Sequence, residues 1–265
     1  MAVIAMDAGA LIERVRAEGF SSAHKPDGSL VTRADTEASD LICGRLSELF
    51  PRDTILSEEA LESGMRLQAR TWMVDPLDGT SGFARGGQNY AVHIGLVEDE
   101  APRLGVVYLP AAEELFVAEQ GRGAWHLGAS AQSPVRCRMR ALEPTSGPLP
   151  QLVTSSRMTR EDRASLASQL PAEDLGRVAS VGVKVGLLVT GAAHIYVSDH
   201  PVSYWDSCAP LVILEEAGGA ASVAGGRPFQ YPNTSESFVH PGPFVASVTA
   251  GHDRLRQRVE SILGW

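Results

Sequence analysis

Five short runs rich in β-branched and aromatic residues follow one another between Thr54 and Ala118. They are Thr54-Ile-Leu56, Thr71-Trp-Met-Val74, Tyr90 to Val97, Arg103 to Leu109 and Glu114 to Ala118. Runs of this length and composition are strands rather than helices. The turn formers Glu98-Asp-Glu-Ala-Pro102 supply a hairpin connection, and Glu119-Gln-Gly-Arg-Gly123 supply a further turn. The succession predicts one mainly antiparallel sheet.

Ahead of it, Ile4, Leu11, Ile12 and Val15, and then Leu41, Ile42, Leu46 and Leu49, recur at helical spacing. Two helices are expected there, the second capped near its start by Asp35. Between them, Lys25-Pro-Asp-Gly-Ser29 and the extended Leu30-Val-Thr32 predict a hairpin or reaching loop. From about Leu127 to Pro150 periodicity is lost and Pro134, Pro144, Pro148 and Pro150 accumulate, which places a lobe boundary in that stretch. Beyond it, strands at Leu152-Val-Thr154, Ala193 to Val197 and Phe244 to Val248 alternate with helices at Thr159 to Leu170, Val183 to Thr190, Trp205 to Ala217 and His252 to Leu263. The expected organisation is an N-terminal α+β lobe over residues 1–130 and a C-terminal α/β lobe over residues 150–265, in layers.

A chain of 265 residues buries a sizeable core, and 44% hydrophobic with 21% charged residues excludes disorder and fibrous repeats. The net charge of −9 argues against a nucleic-acid polymer as partner, since such binding needs clustered cations. A small anion must then be held locally, by a metal or by backbone amides. Cys43, Cys137 and Cys208 match neither a disulfide framework nor zinc spacing. Met1 to Asp7 lacks the basic start of a signal peptide, and no apolar run approaches a membrane span, so a cytoplasmic protein without a membrane partner is expected.

The most informative segment is Trp72-Met-Val-Asp75-Pro-Leu-Asp78-Gly-Thr80, where a strand runs directly into two carboxylates, a glycine and a hydroxyl. Gly79 lets the backbone approach a ligand and opens a helix N-terminus whose amides can face phosphate. Taken alone, Asp-Pro and Asp-Gly are equally common as plain turns. Ser57-Glu58-Glu59 also ends a strand, as hard-cation ligands or as solvated charge. Trp205-Asp206 opens an apolar helix, where Asp206 is either a cap or a carboxylate carried inside and neutralised by a metal.

Together and in this order, Glu58-Glu59, Asp75-Pro-Leu-Asp78-Gly-Thr80 and Trp205-Asp206 resemble the inositol monophosphatase-like magnesium phosphatases. The likeness runs from Val31-Thr-Arg-Ala-Asp35 to Glu215-Glu-Ala-Gly-Gly219. It implies a layered αβαβα sandwich of the sugar-phosphatase type, with most metal ligands on the N-terminal lobe and Asp206 on the other. It further implies two or three Mg²⁺ ions held by Glu58, Asp75, the carbonyl of Leu77, Asp78 and Asp206, with Glu59 assisting. Asp35 and Thr80 match a pair that orients or deprotonates the attacking water, with Glu58 beside them in the catalytic set. The amides of Gly79, Thr80 and Ser81 match a phosphate cradle, and Asp206 meets the leaving group. Carboxylate and carbonyl ligands suit Mg²⁺, and two-metal chemistry needs no covalent nucleophile.

Departures from the family pattern, Ser81-Gly82-Phe83 and Ser207-Cys208, bear on substrate contacts more than on metals, and Cys208 reads as a small packed residue. In detail the motifs resemble the 3'(2'),5'-bisphosphate nucleotidases, on Leu56-Ser-Glu-Glu59, Ala91-Val-His-Ile94, Trp205 to Pro210 and Lys184. Lys184 matches a basic position at the rim of the site that contacts a second phosphate. The substrate expected is 3'-phosphoadenosine 5'-phosphate, hydrolysed to AMP and phosphate. Asp199, near an acid that binds sugar hydroxyls, keeps inositol 1-phosphate or another sugar phosphate as the alternative. A non-catalytic metal- or phosphate-binding protein is the reading of another class. Gly-x-Ser-x-Gly and P-loop motifs are absent. The partner expected is a small phosphorylated metabolite, with a homodimer as the assembly to test.

Overall fold

The computed structural model describes residues 1–265 except 27, 62–63, 140–148, 235–236 and 249. Pro144 and Pro148 of the expected boundary and Asp27 of the expected turn therefore lie outside the described residues. Helices α1 (Ala2–Glu18) and α2 (Arg33–Leu49) bracket an antiparallel hairpin of β1 (Ser22–His24) and β2 (Leu30–Thr32). The cap of α2 is Thr32 rather than Asp35. Asp35 is the third helical residue and accepts the Thr32 amide at 2.8 Å, closing a capping box.

A seven-stranded sheet follows in sequence order: β3 (Thr54–Ser57), β4 (Arg70–Asp78), β5 (Ala91–Glu98), β6 (Ala101–Leu109), β7 (Glu114–Glu119), β8 (Gly123–Leu127) and β9 (Val135–Arg136). Only β3 and β4 pair parallel; every other neighbour is antiparallel. The short α3 (Thr80–Ala84) leaves the end of β4. The second part of the chain alternates β10 (Gln151–Ser155), α4 (Arg160–Gln169), β11 (Glu173–Val178), α5 (Val181–Thr190), β12 (Ile195–Ser198), α6 (Tyr204–Glu216), β13 (Gly219–Val223), β14 (Phe244–Val248) and α7 (His252–Leu263). Its five strands lie in the order β11-β10-β12-β14-β13.

Strand alternation stacks these pieces into five layers. On β5, Val92, Ile94 and Leu96 join Ile12, Ile42 and Leu46 beneath α1 and α2. The opposite face of the same sheet, with Ala91, Val107 and Phe116, packs on Val185 of α5 and Val212 of α6. Those two helices also meet Val153, Tyr196 and Phe244 of the second sheet. The far side of that sheet, with Leu152, Val197 and Val245, is covered by Leu166 of α4 and Val259 of α7. This is the αβαβα sandwich that the resemblance implied.

Helices α5 and α6 are apolar almost all round because both of their sides are covered, as a central layer demands. The approach of α6 depends on two glycines. A Cβ at Gly105 would stand 2.2 Å from the carbonyl oxygen of Ala209, and one at Gly95 would stand 2.5 Å from Cys208 Sγ. Cys208 is a fully buried packing residue, as its sequence context suggested. Among the described residues, no helix is long and apolar enough to cross a membrane.

Candidate active site

The β1–β2 hairpin, the ends of β3 and β4, the starts of α3 and α6 and Ala179 just ahead of α5 meet at one cleft of about 470 Å³. Glu58, Asp75, Leu77, Asp78, Gly79, Thr80, Ser81 and Asp206 all line it. The three motifs, more than 140 residues apart in sequence at their extremes, thus become one site.

Strand β4 continues through Pro76 by an irregularity in its pairing with β5 between Asp75 and Asp78. Asp75 Oδ1 accepts the Leu77 amide at 3.0 Å, which turns the chain so that both aspartates and the intervening carbonyl reach the cleft. Gly79 has φ 98°, and a Cβ there would lie 2.9 Å from the carbonyl oxygen of Asn89. Only glycine fits that turn, and it starts α3 with Thr80 as the first residue.

Asp35 and Asp206 are held in the same way at the starts of two different helices. Each is the third residue of its helix, and each gives one oxygen to the amide of the capping residue: Asp35 Oδ2 to Thr32, and Asp206 Oδ2 to Ser203 at 2.7 Å. The other oxygen of Asp35 lies 2.7 Å from Thr80 Oγ1, which is also 2.9 Å from the carbonyl of Leu77. Asp35 does not line the cleft itself; it reaches the cleft through Thr80. Glu58 and Glu59 both pair with Lys25 of the hairpin, at 3.0 and 2.7 Å.

Crowded carboxylates in a buried place resist ionisation. Burial, then the charges of Glu58, Asp78 and Asp206, pushes Asp75 well up from its ordinary value. Burial, with Asp78 and Glu58, brings Asp206 to about 7. Burial also raises Glu58 despite Lys25, and raises Asp35 despite the hydroxyls of Thr32 and Thr80. Asp78 goes the other way: burial works upward on it, but His93, Lys184 and Ser180 outweigh burial. The donor set, carboxylate oxygens and a carbonyl crowded beyond what their own cations balance, fits Mg²⁺. Asp75, Asp78 and His93 each offer an atom within 4.8 Å of the others.

The pH dependence of the cation-free protein follows from these shifts. Between about pH 8 and 6.5 the folded protein takes up protons at Asp206 and its raised neighbours and at Lys184, lowered by burial to about 8, while the same groups of the unfolded chain take up none. Stability therefore rises as pH falls through about 7, the Asp206 value. The buried His240, lowered to about 3, and His194, His200 and His252, also lowered by burial, oppose the trend as the unfolded imidazoles protonate around their ordinary value, and so reduce the rise toward the lower end of the interval. Thermal melts in chelator should give a higher Tm at pH 6.5 than at pH 8, and Mg²⁺ at pH 8 should raise Tm. A cation-free Tm that falls over this interval would contradict the carboxylate crowding.

Lys184 requires a correction. It is not at the rim: it is 1% exposed on α5, and its Nζ donates to the carbonyls of Val178 and Ala179 at 2.8 and 2.9 Å while lying over the Tyr196 ring. Helix α5 is sandwiched between two sheets, so a side chain at this position has no route to solvent. Asp199 faces Ser155 and His200, whose Nδ1 is 2.9 Å away, and it is His200 that lines the cleft.

Several residues went unread in the sequence. Ser180 donates to Asp78 Oδ2 at 2.6 Å, and the Gly182 amide does so at 3.0 Å. Arg85 and Arg157, exposed and in no salt bridge among the described residues, stand on the cleft wall. The pattern Thr32-x-x-Asp35 and Ser203-x-x-Asp206 was a readable signal for both helix starts. No local signal marks Ser180 or Arg157, because the fold alone brings them to the cleft.

The profile of the inositol monophosphatase family matches residues 1–253. The chain is 33% identical over 244 residues to the 3'(2'),5'-bisphosphate nucleotidase CysQ of Salmonella typhimurium, covering 90% of this chain and 95% of that one. It is 36% identical over 207 residues to a histidinol-phosphatase of Chlorobaculum parvum, covering 77% and 76%. In fold it is similar to the solved IMPase of Thermotoga maritima, with a TM-score of 0.80 at 24% identity over 99% of this chain and 96% of that one. A match over nearly the whole length, with the carboxylates of all three motifs gathered in one cleft, makes the chain a member of the inositol monophosphatase family, and so a phosphatase of a generally metal-dependent kind.

Proposed function

We propose that the protein removes the 3'-phosphate from a bisphosphorylated adenosine nucleotide such as 3'-phosphoadenosine 5'-phosphate. The observation that carries this reading is the charge layout of the cleft. Its floor is acidic, with Glu58, Asp75, Asp78 and Asp206, and its wall adds Arg85 and Arg157. A second phosphate calls for a cation away from the reacting centre, and a free guanidinium is suited to it. With Lys184 buried, Arg157 is the better candidate for that contact. The nucleotidase relative supports the same substrate class.

In this reading Glu58, Asp75, the Leu77 carbonyl, Asp78 and Asp206 hold two or three Mg²⁺ ions. When bound, these supply Lewis-acid stabilisation and a water of lowered pKa. Thr80 orients the attacking water and Asp35 draws the proton through the Thr80 hydroxyl, 2.7 Å from it. The amides of the capping Gly79 and of Thr80 and Ser81 at the start of α3 have no intrahelical partner by position, and with all three residues lining the cleft they would cradle the phosphate. Monophosphates remain the second reading, favoured by the histidinol-phosphatase relative.

Phosphate release with Mg²⁺ from adenosine 3',5'-bisphosphate, inositol 1-phosphate, fructose 1,6-bisphosphate and histidinol phosphate tests the choice. The bisphosphorylated nucleotide should have the highest kcat/KM. Arg157→Ala should raise its KM by about tenfold, the loss of one charge-assisted contact, and leave inositol 1-phosphate turnover nearly unchanged. A preference for a monophosphate, or an equal effect of Arg157→Ala on both substrates, would overturn the nucleotide reading. Release from none of the four would favour the binding-protein alternative.

A further inference from the structure

His93 has no role in the scheme above, yet it sits against one of the proposed ligands. It lies on β5 directly opposite Asp75 of β4, on the face that meets α5, and is fully buried. Its Nε2 is 3.1 Å from Asp78 Oδ2, off the line of a regular hydrogen bond, and its Nδ1 has no partner among the described residues. On its other side the ring abuts α5 so closely that a Cβ at Gly182 would stand 2.3 Å from Nε2. The imidazole therefore fills the space between Asp78 and the first turn of α5, and no ion fits between the ring and Gly182.

Three groups converge on one carboxylate oxygen: Asp78 Oδ2 accepts hydrogen bonds from Ser180 Oγ at 2.6 Å and the Gly182 amide at 3.0 Å, and His93 Nε2 packs against it at 3.1 Å. Nothing among the described residues bonds Oδ1. A carboxylate fixed through one oxygen presents the other in a single direction, and neighbours that orient a ligand in this way change metal affinity by about ten- to a hundredfold.

We infer that His93 is a positioning residue: with Ser180 and the Gly182 amide it clamps Asp78 Oδ2, so that Oδ1 alone is offered to a cation in the cleft. This rests on Asp78 being a metal ligand, as under the proposed function. Two consequences are specific. A side chain at 93 that keeps an N–H in reach should preserve the clamp, and a methyl group at 182 should displace the ring and break it.

Mn²⁺ binding, followed by the electron paramagnetic resonance signal of the free ion, separates these ideas without relying on turnover. Melting curves of each variant check folding. Asp78→Asn should lose most binding. His93→Leu should weaken Mn²⁺ binding by about tenfold, Gly182→Ala should do the same, and His93→Gln, whose amide nitrogen occupies the Nε2 position, should stay within a few-fold of wild type. Wild-type-like binding by His93→Leu alongside loss in Asp78→Asn overturns the clamp alone. So does equal damage from Leu and Gln at 93. Binding by Asp78→Asn at the wild-type level overturns the ligand reading, and the clamp with it. Should His93→Leu fail to fold, the contrast between His93→Gln and Gly182→Ala carries the test, and equal affinities in the two overturn the clamp.

Discussion

Asp75→Asn is expected to lower Mg²⁺-dependent phosphate release by about a thousandfold and, in the absence of cation, to leave the protein as stable as wild type or more so. The first effect follows from removing a ligand charge worth several kcal/mol of transition-state stabilisation. The second follows from the crowding at this position. Asp75 is 1% exposed, and burial and the charges of Glu58, Asp78 and Asp206 all disfavour its ionised form. Asparagine has the same shape and can still accept the Leu77 amide that Asp75 Oδ1 accepts at 3.0 Å. The opposite signs matter, because a residue conserving only the fold would lose stability along with activity. Melting curves in chelator and in Mg²⁺, with a phosphate-release assay, supply both numbers. A variant that retains full activity, or one whose Tm still responds to Mg²⁺ as wild type does, would remove Asp75 from the metal site.

Thr80→Ala and Asp35→Asn are expected to lower kcat by about a hundredfold each while KM changes little, since proton transfer and water orientation act in the transition state and not in substrate binding. The geometry adds a further condition. The two side chains form one relay, joined at 2.7 Å, and Asp35 has no lining contact of its own with the cleft. The double variant should therefore be barely worse than either single one, as for residues that act as a unit. Multiplicative losses in the double variant would separate the two residues, and a KM-only effect in both would move them from catalysis to substrate binding.

The sequence made the layered fold and the metal-site candidates legible for a common reason. The strands that carry the site, such as Thr71 to Val74 and Tyr90 to Val97, are buried, and their β-branched runs announce them. Glu58, Asp75, Asp78 and Asp206 stand where those elements begin or end, so their setting is local. Strand β11, Glu173-Asp-Leu-Gly-Arg-Val178, was missed because it is an edge strand with alternating exposure, charge and a central glycine. Strand β13, Gly219-Ala-Ala-Ser-Val223, is built from small residues that carry little strand signal. Lys184 was misplaced despite a clue in plain view: from Val181 to Thr190 it is the one charged residue in a helix apolar on every side, and such a helix is buried. The partners of Asp78, more than 100 residues distant for Ser180 and Gly182, had no local trace at all.

The missing side chains at Gly95 and Gly105 set how far α6 sinks toward the seven-stranded sheet, and α6 carries Asp206 in its first turn. The separation between Asp206 and Asp75 is therefore a dimension inherited from two hydrogen atoms on β5 and β6, far from any substrate. In a survey of all single substitutions scored by phosphate release, these two positions would rank among the carboxylates in intolerance, and a map of such scores would draw the boundary of the active site well outside the cleft.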